Sequence, residues 1–574
     1  MQIDLLVKDA QVYNSYFKKF RQADIVICQG KFLYVGDTAT LNLKPKHIFQ
    51  AEGKYIIPGL IDCHMHIESS MATPSMFTAE IIKDGVTTII AEPHEIANVF
   101  GLAGIKAMLE DAKDCPVDVE IAIPSSVPST NQQLETTGAE IGKEEVADLL
   151  KSASTICLGE VMNCKDVIDC PHGKSNELIK QVKQYDRNMP IEGHCPAFLG
   201  FDLARIVYAG IDSDHTEQNL ERLEQRIANG VFIELQDKTL RPDIIAFLKK
   251  HKLFEHFALV TDDTMPDKLV ERGHLNYLVK KAMQLGLAPE EAIYAATYTP
   301  AQRMRLKDKG SIAPGKIADF VVIDAPQTFN ILNTFKDGKE VFCSNKSALE
   351  QKSKNNFPVD FYHSVHCDLK EEADFILSVP QKEGFVTCRL LMVKNGTTFI
   401  EEKFVQLPVE NHEILWEQSP YALAMVVERH GKGGKAGAAL VGGDVLQKGA
   451  AATTYAHDHH NLLIVGQNKI DMQLAANKVI KDQGGYAVVN DKKLLAFTAL
   501  PIAGILSADT MPNLAAQISS VEKSLRLLGY KHNNIIMSLS TLALPVSPAF
   551  KVTDKGIVDV KRQTIVSLIK ENYN

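Results

Sequence analysis

The sequence predicts an α/β protein: a (β/α)8 TIM-like barrel with a small composite β-sandwich and an additional carboxyl-terminal α/β region. Three observations predict it. Residues 1 to about 55 alternate apolar and polar in short runs separated by turn signals. From residue 56 a strand–loop–helix unit repeats eight times over about 230 residues, and the alternating pattern returns after the eighth helix.

The elements follow in order. Ile3-Asp4-Leu5-Leu6-Val7 and Ala23-Asp24-Ile25-Val26-Ile27, punctuated by Gly30-Lys31 and Gly36-Asp37, predict a small antiparallel sheet. Candidate barrel strands are 55–61, 86–91, 117–123, 155–159, 190–193, 210–213, 231–235 and 257–261. Between them, the amphipathic stretches 74–83, 99–112, 143–152, 176–185, 199–209, 220–228, 243–252 and 273–286 have helical spacing. A doubly wound open sheet is the alternative arrangement, but no early Gly-x-Gly-x-x-Gly follows a strand. Gly310-Ser311-Ile312 through Phe320-Val321-Val322-Ile323 are expected to complete the first sheet. Residues 1–55 and 305–345 then form one composite domain around a catalytic barrel of residues 56–304. Residues 345–358 are polar and read as a linker, and residues 359–574 form a mixed α/β domain that the barrel does not explain.

Composition sets the outer limits. A length of 574 residues suggests two to four domains. A net charge of −9 argues against binding a nucleic-acid backbone, which needs a concentrated basic surface. With 45% hydrophobic and 23% charged residues the chain has globular usage, not that of a disordered one. No run reaches the length of a membrane span, and Met1-Gln2-Ile3-Asp4-Leu5-Leu6 does not read as a signal peptide. Ten cysteines without a Cys-x-x-Cys pair read as reduced thiols of a cytoplasmic protein. There is no internal repeat or low-complexity tract.

His64-Met65-His66 directly follows the predicted first barrel strand, and side chains two apart on a strand share a face. His-x-His alone would suit a structural strand equally well. The later strand ends change the balance: Glu160 ends the fourth, His194 the fifth, His215 the sixth and Asp262 the eighth. Barrel active sites lie at the carboxyl ends of strands. Four imidazoles and two carboxylates meeting at one mouth are costly unless a cation pairs with them; the bland alternative is six unrelated polar strand ends facing water. Mixed nitrogen and oxygen donors suit divalent Zn, Mn or Fe rather than Ca or a thiolate site. The number of donors suggests two ions, with Glu160 able to bridge them through its two oxygens. A metal lowers the pKa of water from about 15.7 toward 7, and Asp262 can take the proton of the attacking water and return it to a leaving group. The chemistry read from these residues is metal-assisted hydrolysis of a C–N bond, with C–O and P–O bonds as alternatives.

At this point the chain resembles the amidohydrolase superfamily and, within it, the bacterial adenine deaminases. The resemblance is carried by Pro58-Gly59-Leu60-Ile61-Asp62-Cys63-His64-Met65-His66-Ile67-Glu68-Ser69-Ser70-Met71, Glu92-Pro93-His94-Glu95-Ile96-Ala97-Asn98-Val99, Gly159-Glu160-Val161-Met162-Asn163, Gly193-His194-Cys195-Pro196, Ser213-Asp214-His215 and Gly273-His274-Leu275-Asn276-Tyr277. In the carboxyl-terminal region it continues through Glu428-Arg429-His430-Gly431, Ala456-His457-Asp458, His460-Asn461 and Leu500-Pro501-Ile502-Ala503-Gly504. It implies a binuclear centre, usually Mn or Fe, that converts adenine to hypoxanthine and ammonia in purine salvage. His64, His66, Glu160, His194, His215 and Asp262 match the family's ligands, with Glu160 where many amidohydrolases have a carboxylated lysine. Hydroxide would add to purine C6, and Asp262 would shuttle the proton to the amine.

Three departures point to a different purine or another cyclic amide or amidine as an alternative substrate. The family usually has Asp-Pro-His-Glu where this chain has Glu92. It has Glu-Gly-Ser where Glu234-Leu235-Gln236 stands, and Asp-Asp-Arg-His-Pro where Asp262-Asp263-Thr264-Met265-Pro266 stands. Glu92 and His94 are candidates for substrate or an accessory ion, or for a hydrogen-bonded turn. Glu68 is a candidate for substrate or for capping a neighbouring loop. His457-Asp458-His459-His460 invites a second-metal, substrate-facing or interface role, though the family has Ser at the place of His459. Gly431-Lys432-Gly433-Gly434-Lys435-Ala436-Gly437 lacks the order of a phosphate-binding loop and reads as a turn. A small-molecule substrate is expected, without nucleic acid or membrane. A homo-oligomer is expected too, a dimer being the commonest soluble assembly. A catalytically silent paralogue with a binding role is the remaining alternative.

Overall fold

The computed structural model describes residues 1–196, 198–346 and 356–570. Most of the expected linker at 345–358 lies outside the described residues.

Eight parallel strands follow one another in the expected order: β1 (Leu60–His66), β2 (Val86–Ala91), β3 (Asp118–Ile123), β4 (Thr155–Val161), β5 (Ile191–Gly193), β6 (Ser213–Asp214), β7 (Phe232–Leu235) and β8 (Phe257–Leu259). They form two arcs, β1 to β5 and β6 to β8. One seam closes because Asp262–Asp263, just beyond β8, pairs in parallel with β1, Asp262 opposite Met65 and Asp263 opposite His66. At the other seam, Asp212 N–H donates to the Ile191 carbonyl at 3.0 Å, and the Asp212 carboxylate accepts Ile191 N–H at 3.0 Å. These strands are buried on both faces, so they read as apolar runs rather than as alternating sequence.

Three sequence expectations need correction, two of them in the barrel. The first predicted strand is two strands: Tyr55–Pro58 belongs to the flanking sheet, and β1 begins after Gly59 and runs through His66. Gly59 is required because a Cβ there would lie 2.1 Å from Thr87 Oγ1. The histidine pair is therefore inside the strand rather than after it. The predicted helix at 273–286 begins only at Leu275–Gln284, and a separate helix, Pro266–Arg272, precedes it. The Gly273 backbone at φ 86° separates them.

Strands from both flanks of the barrel share one sheet. Phe320–Ile323 pairs with Tyr55–Pro58, and Ile331–Lys336 and Lys339–Cys343 extend it. The sheet is mixed rather than antiparallel, since Gln2–Asn14 runs parallel to Lys44–Gln50 and Tyr55–Pro58. Its apolar face collects Val7, Ile25, Ile27, Ile56, Phe320 and Phe335.

In the carboxyl-terminal region a nine-stranded sheet, antiparallel except where Glu383–Val393 meets Ala436–Gly443, carries the helices Lys469–Lys481 and Met511–Leu527. One apolar core runs from the barrel into this sheet. The Phe100 and Phe361 rings stack at 4.0 Å, and Ser507 N–H donates to the Met71 carbonyl at 2.7 Å. Among the described residues no helix is long and apolar enough to cross a membrane, and all ten cysteines are free thiols.

Candidate metal centre

The six side chains singled out in the sequence converge at the carboxyl ends of the strands. His194 Nδ1 and His215 Nε2 stand 3.0 Å apart, at 2.9 and 3.1 Å from Glu160 Oε2. On the other side of the same carboxylate, His66 Nε2 is 3.6 Å from Glu160 Oε1 and 3.5 Å from Asp262 Oδ1. His64 Nε2 lies 3.8 Å from Asp262 Oδ1. Donor atoms sharing one ion at bond lengths of about 2.0–2.2 Å stand roughly 3.0–3.6 Å apart. Glu160 thus presents one oxygen to each of two donor groups.

Charge and burial agree with that arrangement. His64 Nε2 is buried without a hydrogen-bond partner, a costly state for a polar atom unless something pairs with it. Burial, with the neighbouring His215 and His66, pushes the His64 pKa down to about 3, so the imidazole is neutral and its lone pair free. Burial alone would raise Asp262, but the His66 hydrogen bond and the nearby imidazoles outweigh it and hold the carboxylate ionised. The donor set fits a pair of divalent cations. Asp262 also has a left-handed backbone, φ 57°, a conformation that clusters at active sites. Of the six, His194 is the open one, its side chain 39% exposed.

The supports are local. His66 Nδ1 is 3.0 Å from the Glu92 carbonyl, which aims Nε2 at the mouth. Glu92 Oε2 accepts the Glu160 N–H at 2.7 Å, and Ser125 Oγ donates to the Glu160 carbonyl at 2.6 Å. Gln236 Nε2 donates to the His215 carbonyl at 2.8 Å. Leu235 and Gln236 are both buried, so this departure from the family pattern serves as a brace for His215. Glu68 accepts Ile96 N–H at 3.3 Å, at the start of the helix His94–Ala112, with Oε2 unpartnered and its pKa pushed up to about 7 by burial.

The sequence reading did not pair the two ends of the chain. His94 Nε2 lies 2.5 Å from Asp458 Oδ1, and His457 Nδ1 lies 2.6 Å from Glu95 Oε1. His460 also bonds to Glu95, whose Oε2 accepts the Asp458 N–H at 2.8 Å. The turn at 457–460 thus enters the barrel mouth. His459 points elsewhere, 3.9 Å from Glu135 Oε2 and 4.0 Å from Asp554 Oδ1. The glycine-rich turn folds round its own Glu428, whose carboxylate accepts the N–H groups of Lys432 and Gly434 at 2.8 and 3.0 Å, so those donors are taken.

A barrel whose strand ends gather histidines around a shared carboxylate defines a hydrolase of the amidohydrolase class. Residues 55–341 match the model described as amidohydrolase family, a family that implies divalent-metal use. Residues 397–564 match the adenine deaminase C-terminal domain. An adenine deaminase of Clostridium perfringens (strain ATCC 13124) is 48% identical over 573 residues, covering 99% of this chain and 100% of that one. Adenine deaminase 2 of Shouchella clausii is 46% identical, with 99% of each chain covered. An adenine deaminase of Thermosipho melanesiensis is 35% identical, over 99% of this chain and 97% of its own. The chain belongs to the adenine deaminase family.

Proposed function

We propose that the protein hydrolyses adenine to hypoxanthine and ammonia, with His64, His66, Glu160, His194, His215 and Asp262 holding two divalent cations. The observation that carries the reading is the division of Glu160, with Oε1 turned to His66 and Oε2 to His194 and His215. Mn is the expected metal, with Fe and Zn alternatives from the same donor chemistry. Bound divalent cations make water acidic enough to supply hydroxide at neutral pH.

The chain's own groups do the rest. Asp262, ionised and within 3.8 Å of both β1 histidines, accepts a proton from the attacking water as its oxygen adds to purine C6. The same carboxyl then delivers that proton to the exocyclic nitrogen, and the C6–N bond breaks to release ammonia. Glu68 would meet the purine's polar edge, a role supported by its unpartnered Oε2. The full-length similarity to adenine deaminases supports adenine over another cyclic amidine.

The test is ammonia release from adenine by chelator-stripped, Mn-reloaded protein, with Asp262→Asn as control. Absence of adenine turnover alongside good turnover of another cyclic amidine overturns the substrate; absence of bound metal overturns the mechanism.

A further inference from the structure

Glu92, His94 and Glu160 make a third donor group beside the paired one. We propose that it holds a third divalent cation of the Mn class, ligated by Glu92 Oε1, His94 Nδ1 and Glu160 Oε1 and braced from the carboxyl-terminal region by Asp458. The inference rests on reading Glu160 as a metal ligand.

Spacing comes first. His94 Nδ1 is 3.6 Å from Glu92 Oε1 and 3.8 Å from Glu160 Oε1. These gaps exceed a hydrogen bond yet match the 3.5 and 3.6 Å from His66 Nε2 to Asp262 and Glu160. All three donor atoms lie within 4.8 Å of one another.

The inward-facing atoms are also unpartnered. Glu92 Oε1 and His94 Nδ1 are buried without a hydrogen bond, on residues 0% and 2% exposed. The opposite atom of each side chain is fully committed: Glu92 Oε2 accepts Glu160 N–H at 2.7 Å, and His94 Nε2 sits 2.5 Å from Asp458. A carboxylate behind one ring nitrogen, leaving the other nitrogen free, is the usual environment of a metal-binding histidine.

Charge points the same way. Glu68, Glu92, Glu95, Glu160, Asp262, Asp263 and Asp458 crowd the mouth. Among the described residues the ion pairs that these carboxylates make are all with histidines, none with lysine or arginine. Burial raises the Glu68 and Glu92 carboxyls and His457 offsets part of the remaining charge, and divalent cations offset more of it. The competing arrangement is a protonated His94 held between Glu92 and Asp458, which needs no ion.

Chelator-stripped protein reloaded with Mn separates the two, by Mn counted per chain and by anomalous diffraction at the Mn edge. Expected are three Mn per chain, with one anomalous peak between Glu92 and His94, and two Mn with the paired peaks intact in His94→Ala. Asp458→Asn is expected to weaken the third site by about tenfold or more while leaving the pair. Two Mn in the wild type, with nothing between Glu92 and His94, overturns the third site and leaves the proposed function standing. Three Mn retained by His94→Ala also overturns it. No bound Mn, or a single ion, overturns both readings.

Discussion

Replacing Arg226 with methionine removes the fastening between the two strand ends that carry His194 and His215. Arg226 is fully buried; its guanidinium bonds to the Asp214 carboxylate and to the Cys195 carbonyl. Asp214 in turn accepts Cys195 N–H at 3.3 Å, Thr216 N–H at 3.1 Å and Gln218 Nε2 at 3.1 Å. Cys195 follows His194 and Asp214 precedes His215, so one buried ion pair sets the separation of two proposed ligands. Two hydrogen bonds from a charged group contribute about 1.5–3 kcal/mol each. Removing one partner of a buried pair strands the other charge and costs about 3–5 kcal/mol, a consistent range. At roughly 2–4 °C per kcal/mol for a domain of barrel size, a loss of about 4 kcal/mol lowers the melting temperature by about 8–16 °C. The assay is thermal unfolding in saturating Mn, with Mn affinity measured in parallel, and both are expected to fall. Asp214→Asn combined with Arg226→Met should recover at least half of the lost stability, because no unpaired charge remains. A single variant that melts within about 2 °C of wild type with unchanged Mn affinity refutes the reasoning.

Four other outcomes are expected. Asp262→Asn lowers kcat for adenine by about 100-fold or more, read as ammonia release at saturating substrate. Chelation abolishes turnover and lowers the melting temperature, and added Mn restores both, since a ligand bound only by the folded chain stabilises it. Gly159→Ala places a Cβ 2.5 Å from Glu92 Cδ, so it displaces that carboxylate from Glu160 N–H; Mn affinity is expected to drop while far-UV circular dichroism is unchanged. Lys551 is fully buried, its pKa pushed down to about 7 by burial, with Nζ donating to the Thr398 carbonyl at 2.8 Å. Below pH 7 both states carry the proton and the folded one bears its burial; from there to 10.5 the unfolded chain holds the extra proton, so wild-type stability gains with pH. The stability advantage of Lys551→Met is therefore largest near pH 6 and shrinks toward pH 10, measured by urea unfolding across that range.

The order of the barrel strands and the six converging side chains were legible because each rests on local pattern: a short apolar run, then a donor residue at its end. Strand limits were less legible. Burial on both faces removes the alternation that would have shown β1 continuing through His66, and a steric requirement at Gly59, visible only once Thr87 is beside it, divides that strand from the one before. The partnership of His94 with Asp458 spans 364 residues, and nothing in either local sequence records the other. Glu95 was seen only as part of a motif, although it gathers His457, His460 and the Asp458 N–H. The role of Gln236 was equally hidden, since a residue larger than the family's usual serine looks like a changed pocket until its amide is found on the His215 carbonyl.

Because the turn at 457–460 closes on His94 and Glu95, synthesis itself imposes an order on assembly. The ribosome delivers His94 long before Asp458; at about 5–20 residues per second the intervening chain takes roughly 20–70 s to appear. Once residue 262 has been made, a nascent barrel has its strand-end donors but not yet the Asp458 carboxylate behind His94. Completion of the mouth is a late event, and a chain cut short anywhere before residue 457 leaves the ribosome with His94 and Glu95 lacking the partners that close over them.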